Sequence, residues 1–141
     1  MITAIDTNVL LDVFLPDKEH AERSAALLKQ AYDEGALVIC DIVYSELVPQ
    51  FNTRALLDST LDRINVTVSS MDLDVAYLAG EKWGLYRRSG GKRERVITDF
   101  LVGAHALLKS DRFLTRDRGF YKKYFENLSV LSNNSSMAHR A

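Results

Sequence analysis

Residues 1–14 read MITAIDTNVLLDVF and place a carboxylate, Asp6, between two apolar segments. Ile2–Ile5 has the β-branched composition of a short buried strand, and residues 8–15 have the periodicity of a helix that ends at Pro16. A carboxylate between two buried segments must cap a helix, pair with a cation or bind a metal, because an unpaired buried charge is strongly destabilising. The rest of the sequence must decide among these roles.

The overall composition predicts one globular domain. The chain has 141 residues, of which 47% are hydrophobic, and this is enough for an ordinary core. We expect the domain to span residues 1–131 and a polar, frayed tail to follow at 132–141. There is no basic leader and no apolar run of the roughly 20 residues that a membrane span needs. The single cysteine, Cys40, excludes an internal disulfide and a cysteine zinc site, so we expect a cytoplasmic protein.

The net charge of −1 conceals an uneven distribution of charge. Residues 87–123 contain eleven Lys and Arg against four Asp and Glu, and the remainder of the chain is acidic. Such a division is typical of a polyanion contact beside an acidic feature. A set of well-solvated helices would give the same composition, so the charge pattern alone does not decide between the two.

Periodicity along the chain predicts alternating strands and helices. Further buried strands are expected at 37–40, 65–68, 112–115 and 128–132, and helices at 19–34, 42–50, 53–64, 72–88, 98–110 and 119–125. Asp41 and Asp72 are the expected N-caps of two of these helices. On the helix at 19–34 the predicted buried face comprises Ala21, Ser24, Ala25, Leu28 and either Ala31 or Tyr32.

Short buried strands separated by helices predict an α/β fold. We expect a three-layer α/β/α sandwich in which a central parallel sheet of four or five short strands is covered by helices on both faces. In such a sheet, ligands bind beyond the carboxyl ends of the strands, near the point where the strand order reverses.

Four carboxylates fall at or near these strand ends. Asp6 follows the first strand, Asp117 follows the fourth, Asp99 opens the helix before the fourth, and Glu46 lies on an apolar helix after the second. Clustered carboxylates repel one another unless a cation intervenes, and an oxygen-only set without Cys or His suits Mg²⁺ or Mn²⁺. One or two such ions can activate a water and stabilise the leaving oxygen in phosphodiester cleavage.

Each acid also has a purely structural interpretation. Asp99 could be an N-cap, Asp6 an Asx-turn residue, and Asp117 a partner of a neighbouring arginine, Arg116 or Arg118. We interpret Asp12, Asp17, Asp41, Asp58 and Asp72 as caps or solvated residues. Two other functions stay open: an aspartate-nucleophile phosphohydrolase, which usually has a second Asp where this chain has Asn8, and a non-catalytic protein that binds RNA or a partner in the same pocket.

Three motifs in order carry a resemblance to a known family. They are AIDTNVLL at 4–11, YSEL at 44–47 and TDFLVGAHALLKSDRFLTRDRGFY at 98–121. From residue 1 to about 131 the chain resembles the PIN-domain family, and within it the VapC-like toxin ribonucleases of toxin–antitoxin pairs. The resemblance implies a PIN-like α/β/α sandwich and a metal-dependent endoribonuclease. Its motifs imply that Mg²⁺ or Mn²⁺ is bound by Asp6, Glu46, Asp99 and Asp117, with Asn8 and Thr115 in support.

The resemblance also implies partners. These are an RNA substrate in a single-stranded or loop region, a small antitoxin whose C-terminal segment blocks the acidic groove, and a second copy of the chain. Candidate RNA contacts are basic residues of the loop RRSGGKRER at 87–95 and of the last motif: Lys92, Arg93, Arg95, Arg116 and Arg118. We interpret His105 as a packed helix residue, and Trp83, Tyr86 and Tyr77 as core or dimer packing rather than base stacking.

Overall fold

The computed structural model describes residues 1–15, 17–91 and 95–132, and the helices and strands below are those of this part of the chain. The strands are β1 (Ile2–Ile5), β2 (Ala36–Ile39), β3 (Val66–Val68), β4 (Arg112–Leu114) and β5 (Val130–Leu131). The α-helices are α1 (Thr7–Phe14), α2 (Ala21–Glu34), α3 (Asp41–Leu47), α4 (Arg54–Arg63), α5 (Leu73–Arg88), α6 (Ile97–Lys109) and α7 (Arg118–Tyr124). A short 3-10 helix, Val48–Gln50, follows α3.

The five strands form one parallel sheet in the order β3-β2-β1-β4-β5. The buried residue Ala4 of β1 lies opposite Val38 of β2 on one side and opposite Phe113 of β4 on the other, so β1 is the central strand. The predicted α/β fold is confirmed. Because the chain moves from β1 to β2 and β3 on one side and returns to β4 and β5 on the other, the strand order reverses between β1 and β4.

Helix starts follow the sequence signals closely, with one exception. The Thr53 hydroxyl accepts a hydrogen bond from the Leu56 N–H at 3.1 Å, and Asp72 accepts one from the Val75 N–H at 3.0 Å, as N-cap residues do. The prediction that Asp41 is an N-cap is wrong by one residue. Cys40 is extended and precedes the helix, and Asp41 is already helical.

The buried face of α2 differs in part from the predicted one. Ser24, Leu28 and Ala31 are buried as expected, but Ala25 and Tyr32 are exposed. Leu27 is buried in their place. Alanine occurs on both faces of this helix, so the apolar stripe could be drawn in more than one register, and packing against α1 and β2 selected one of them.

An aromatic cluster fixes α6 against α7. The rings of Phe100 and Phe120 stand 5.2 Å apart at 78°, an edge-to-face geometry, and Tyr86 adds a contact from α5 at 5.4 Å from Phe100. A Cβ on Gly103 would come within 2.5 Å of the Phe125 ring, so this glycine permits the close approach. The first turn of α6 and the start of α7 are thereby held near each other.

The described residues can be compared with two expectations about the chain as a whole, the absence of a membrane span and the polar C-terminal tail. In the part of the chain that the structure describes, no helix is long and apolar enough to cross a membrane. The expected tail at 132–141 falls, from residue 133 on, outside the described residues, and Ser132 itself is buried. The predicted domain boundary stays a prediction.

His105 should make the protein less stable in mild acid. It is 1% exposed on α6, and burial lowers its pKa from the ordinary 6.5. The folded protein therefore binds fewer protons than the unfolded chain, so the free energy of unfolding falls as the pH drops below about 6.5. For one residue the loss at about pH 5.5 is at most about 1.4 kcal/mol. Asp6, whose pKa burial raises to about 6, acts in the opposite direction over the same range, so the test is the difference between two proteins. Between about pH 7.5 and 5.5, urea unfolding should show a less favourable change in the wild type than in His105→Gln; equal changes would contradict the prediction.

Candidate functional site

The four predicted acids line one pocket at the carboxyl ends of β1 and β4. The pocket has a volume of about 280 Å³. Its walls come from α1, α3, α6, α7 and the segment before α6, and its lining residues are Asp6, Thr7, Asn8, Leu11, Glu46, Arg95, Thr98, Asp99, Val102, Asp117 and Tyr121. The backbone N–H of Asp6 donates to Leu114 O at 2.9 Å, so the end of β1 is joined directly to the end of β4. The pocket therefore lies where the strand order reverses.

Asp6 is the N-cap of α1, and the residue is half-buried. Oδ1 accepts from the Thr7 N–H at 2.8 Å, and Oδ2 accepts from the Thr115 hydroxyl at 2.7 Å. Burial raises the pKa of Asp6 to about 6, opposed by these two hydrogen bonds and supported by the negative charges of Glu46 and Asp117. The ionised Asp6 is therefore short of nearby positive charge, and a cation in the pocket would stabilise it.

Thr115 and Asn8 join the two strand ends. The Thr115 hydroxyl, which donates to Asp6, also accepts from the Asp117 N–H at 3.0 Å. The Asn8 amide donates to Asp6 Oδ2 at 3.3 Å and accepts from the Arg116 N–H, also at 3.3 Å. One hydroxyl and one amide thus set the spacing between Asp6 and the segment that carries Asp117.

Glu46 reaches the pocket from α3. Its Oε1 accepts a hydrogen bond from the Thr7 hydroxyl at 2.6 Å, which ties α3 to the first turn of α1. The helix around Glu46 has a buried side, which carries its apolar neighbours Val43 and Leu47, and an exposed side, which carries Glu46 itself. The residue lies on the open side of the helix, at the mouth of the pocket.

Asp99 combines two roles that sequence reasoning treated as alternatives. It is the third residue of α6, later than the N-cap position, and its Oδ2 accepts from the Val96 N–H at 3.1 Å. The same side chain lines the pocket. Helix α6 begins at Ile97, one or two residues before the predicted start.

Asp117 is paired with Arg95. The two side chains approach to 2.6 Å, and the Arg95 guanidinium also lies over the Phe120 ring at 4.2 Å. The alternative that Asp117 pairs with Arg116 or Arg118 is wrong. The side chain of Asp117 does not cap α7, although Asp117 is the residue that precedes it.

The profile of the PIN domain matches residues 3–126. The chain belongs to the PIN domain family. The match includes all four acids and the segments that position them, Thr7 and Asn8 on one side and Thr115 and Arg116 on the other. Comparison with curated protein sequences gave no match.

Solved structures with a similar fold cover nearly the whole PIN domain. VapBC2 from Rickettsia felis bound to a promoter DNA fragment matches with a TM-score of 0.71 and 19% identity over 94% of this chain and 98% of the other. VapBC-1 from nontypeable Haemophilus influenzae matches with a TM-score of 0.70 and 16% identity over the same shares of the two chains. A toxin–antitoxin complex from Klebsiella pneumoniae matches with a TM-score of 0.59 and 20% identity, covering 92% and 96% of the two chains. At these identities the likeness establishes the fold.

A buried charged cluster lies behind the pocket of this PIN domain. Asp12 is 4% exposed, accepts from the Ser24 hydroxyl at 2.6 Å and stands 2.9 Å from the Nε of Arg116. The interpretation of Asp12 as a cap or solvated residue is therefore wrong. Arg116 is held by Asp12, so its location favours a role in fixing the segment between Thr115 and Asp117.

The other basic residues that were predicted to contact RNA do not lie in one place. Arg118 is exposed at the start of α7, and Arg95 lines the acidic pocket. Lys92 and Arg93 lie outside the described residues. A role in RNA binding stays a prediction for all five basic residues.

The four carboxylates of the pocket are of the type that a hard divalent cation binds, but in this structure they are engaged with other groups of the protein. Among the described residues no group of three His, Cys, Asp or Glu side chains forms a ready-made metal cluster. Asp117 is engaged by Arg95, Glu46 by Thr7 and Asp99 by the Val96 N–H. All four donors are carboxylates, which Mg²⁺ and Mn²⁺ prefer, and an ion among them would have to displace these contacts.

Sequence reasoning missed two residues of this PIN domain site, Thr7 and Tyr121, and the ion pair that a third, Arg95, makes with Asp117. Thr7 holds Glu46, and its place directly after Asp6 was the available signal. Arg95 was predicted to contact RNA but not to pair with Asp117, because the two are distant in the sequence. Tyr121 is buried against the pocket, where burial, followed by the charges of Asp6, Asp99 and Asp117, raises its pKa well above the ordinary 10.0. Its position in an aromatic helix gave no hint of this.

Proposed function

We propose that this PIN domain is a metal-dependent endoribonuclease and the toxin of a toxin–antitoxin pair. One observation carries the proposal: carboxylates from four separate parts of the sequence, residues 6, 46, 99 and 117, meet in one pocket at the reversal of strand order. Membership in a family of nucleases supports a hydrolytic role for these carboxylates. The structural likeness to toxin–antitoxin complexes supports the biological setting.

The roles of the residues follow from their positions. Asp6, Asp99 and Asp117 would hold Mg²⁺ or Mn²⁺, and Glu46, at the pocket mouth, would help to bind it or orient the attacking water. The bound ion would lower the pKa of a water and stabilise the charge on the leaving oxygen. Thr115 keeps Asp6 and Asp117 at a fixed spacing through its two hydrogen bonds. Arg95 is close enough to the pocket to meet negative charge that develops on the scissile phosphate.

Cleavage of end-labelled single-stranded RNA by the purified, partner-free chain tests the reaction. We expect cutting with Mg²⁺ or Mn²⁺ and none with EDTA. Internal cuts, rather than progressive shortening from one end, would identify an endonuclease. Ion binding without any cutting would instead favour a protein that binds RNA or a partner in the same pocket, and absence of both would overturn the proposal.

Replacing Arg95 by glutamine should strengthen metal binding. Arg95 occupies Asp117, and an ion must displace it from that carboxylate. Because both side chains are about one-third exposed, at 29% and 33%, the pair is worth only a modest free energy, and we expect Mn²⁺ affinity to rise between about two- and fivefold. Calorimetric titration with Mn²⁺ measures this without any RNA. Arg54→Gln, which removes an exposed arginine paired with Asp58, is the matched control; equal or weaker binding by Arg95→Gln would contradict the prediction.

We also propose that a small antitoxin blocks the pocket and that the chain forms a homodimer. An arginine of the antitoxin would suit a pocket of four carboxylates, since it can make charge-assisted hydrogen bonds to Asp117 in the place of Arg95. The similar VapBC structures support a protein partner of this kind.

Light scattering on the purified chain tests the proposed homodimer. A mass near twice 15.9 kDa is expected, and a monomer at micromolar concentration would contradict the proposal.

A further inference from the structure

A second pocket adjoins the acidic one. It has a volume of about 450 Å³ and is lined by three residues of the last turns of α5, by Gly91, and by the segment that leads into α6. The lining residues are Trp83, Tyr86, Arg87, Gly91, Arg95, Val96 and Ile97, and we call this cavity the Trp83 pocket. Arg95 belongs to the walls of both pockets, so the two cavities share one guanidinium.

The Trp83 pocket combines aromatic, cationic and apolar surface. The guanidinium of Arg87, which is exposed, lies over the Trp83 ring at 5.2 Å. Val96 and Ile97 are 55% and 39% exposed, so an apolar edge faces the cavity beside two arginines. The Trp83 N–H is buried and has no hydrogen-bond acceptor among the described residues.

We infer that the Trp83 pocket receives an unpaired nucleobase of the RNA substrate, next to the phosphate that is cut in the acidic pocket. This inference rests on the proposed function and extends it to the form of the substrate. Bases that are not paired stack on indole rings and on guanidinium planes, and the Trp83 pocket offers both.

Charge favours RNA over a basic protein segment as the occupant. Among the residues that the structure describes, two guanidinium groups, those of Arg87 and Arg95, line the Trp83 pocket, and no carboxylate does. An arginine or lysine side chain of a partner would be repelled there, whereas a nucleotide brings a phosphate. Arg95, on the shared wall, lies where the phosphate between the cut site and the bound base would pass. The RNA strand would then lie with its backbone across Arg95 and one base turned into the pocket.

Trp83 offers a direct measurement, because it is the only tryptophan of the chain. Its fluorescence can be followed while a single-stranded tetraribonucleotide is titrated into the Asp99→Asn variant, which keeps the RNA intact. We expect a saturable change in fluorescence. The same oligonucleotide with abasic sites should bind at least about fivefold more weakly, because the stacking contribution is lost while the phosphates remain.

Variants separate the Trp83 pocket from general electrostatic attraction. Arg87→Gln should weaken binding of the intact oligonucleotide by about fivefold or more and have much less effect on the abasic one. Arg54→Gln removes the same charge from an exposed ion pair that does not line the Trp83 pocket, and should weaken binding of both equally and slightly. Trp83→Phe, which keeps most of the packing, should retain the folded circular dichroism spectrum and lose part of the preference for bases.

Three results would overturn the inference: equal affinities for intact and abasic RNA, unchanged Trp83 fluorescence at saturating RNA, or a fluorescence change produced only by an arginine-containing peptide. The last would assign the pocket to a protein partner. Cleavage by the wild-type chain is measured separately. Cleavage of RNA without any change in Trp83 fluorescence would contradict the proposed base pocket but support the proposed nuclease activity. Base binding without cleavage would contradict the proposed nuclease activity but support the base pocket.

Discussion

Replacing Asp99 by asparagine should slow RNA cleavage by at least about a hundredfold. The substitution removes one negative charge from the set that would hold the divalent ion, and loss of a single well-placed electrostatic contact in an active site commonly has an effect of this size. The fold should survive, because an asparagine oxygen can still accept the hydrogen bond that the Val96 N–H donates to Asp99 at the start of α6. The initial rate of cleavage of labelled single-stranded RNA measures the effect.

Asp33→Asn is the matched control for this loss of charge. Asp33 is exposed on α2 and pairs with Lys29 one turn away, remote from the pocket in the fold. Its substitution should leave both cleavage and thermal stability near the wild-type values. Full activity of Asp99→Asn, with ion binding unchanged by calorimetry, would show that Asp99 is only a helix-start residue.

Replacing Asp12 by alanine should reduce the free energy of unfolding by about 2 kcal/mol. Asp12 is buried, and its removal leaves the Arg116 guanidinium and the Ser24 hydroxyl without the carboxylate that they share. The loss is smaller than for a fully buried pair, because Arg116 is 33% exposed and water can solvate part of its charge. Urea unfolding at neutral pH measures the change.

Asp12→Ala should also impair cleavage, because the segment after Thr115 depends on the same contact. Arg116 lies between Thr115 and Asp117, and freeing its side chain loosens the position of Asp117. Asp33→Ala breaks an exposed i,i+4 pair and should cost no more than about 0.5 kcal/mol. If both alanine variants lost the same small free energy, the buried pair would have no special role in holding the segment.

Local sequence signals predicted most of the fold. The run of β-branched residues at Ile2–Ile5 and the N-cap Asp72 each act within a few residues, so a single sequence reveals them. Several short buried strands alternating with helices were enough to predict a parallel sheet. The expected place of the ligand site, beyond the strand ends where the strand order reverses, then followed from general rules on where ligands bind in such sheets.

The acids were predictable as a set, but their partners were not. Asp6, Asp99 and Asp117 stand at element boundaries that the sequence marks. The pairs Asp12–Arg116 and Arg95–Asp117 each join residues that only the packed structure brings together. A charged residue on an amphipathic helix looks the same in sequence whether water or a half-buried arginine faces it, which is why Asp12 was misread. Trp83 packs in part against the core, as expected, but the sequence does not show that the end of one helix and the start of the next form a pocket beside it.

The contact between Thr115 and Asp6 has a consequence for when the activity can arise. The two residues are 109 positions apart, and β4 pairs with β1 across nearly the same interval. Protein synthesis proceeds from the N-terminus at about 5–20 residues per second, and domains fold as their sequence becomes available. A ribosome that has made only the first hundred residues therefore carries a chain with Asp6, Glu46 and Asp99 but without the strand that completes their pocket. The site that we propose for RNA cleavage is therefore complete only after synthesis has passed β4 and α7.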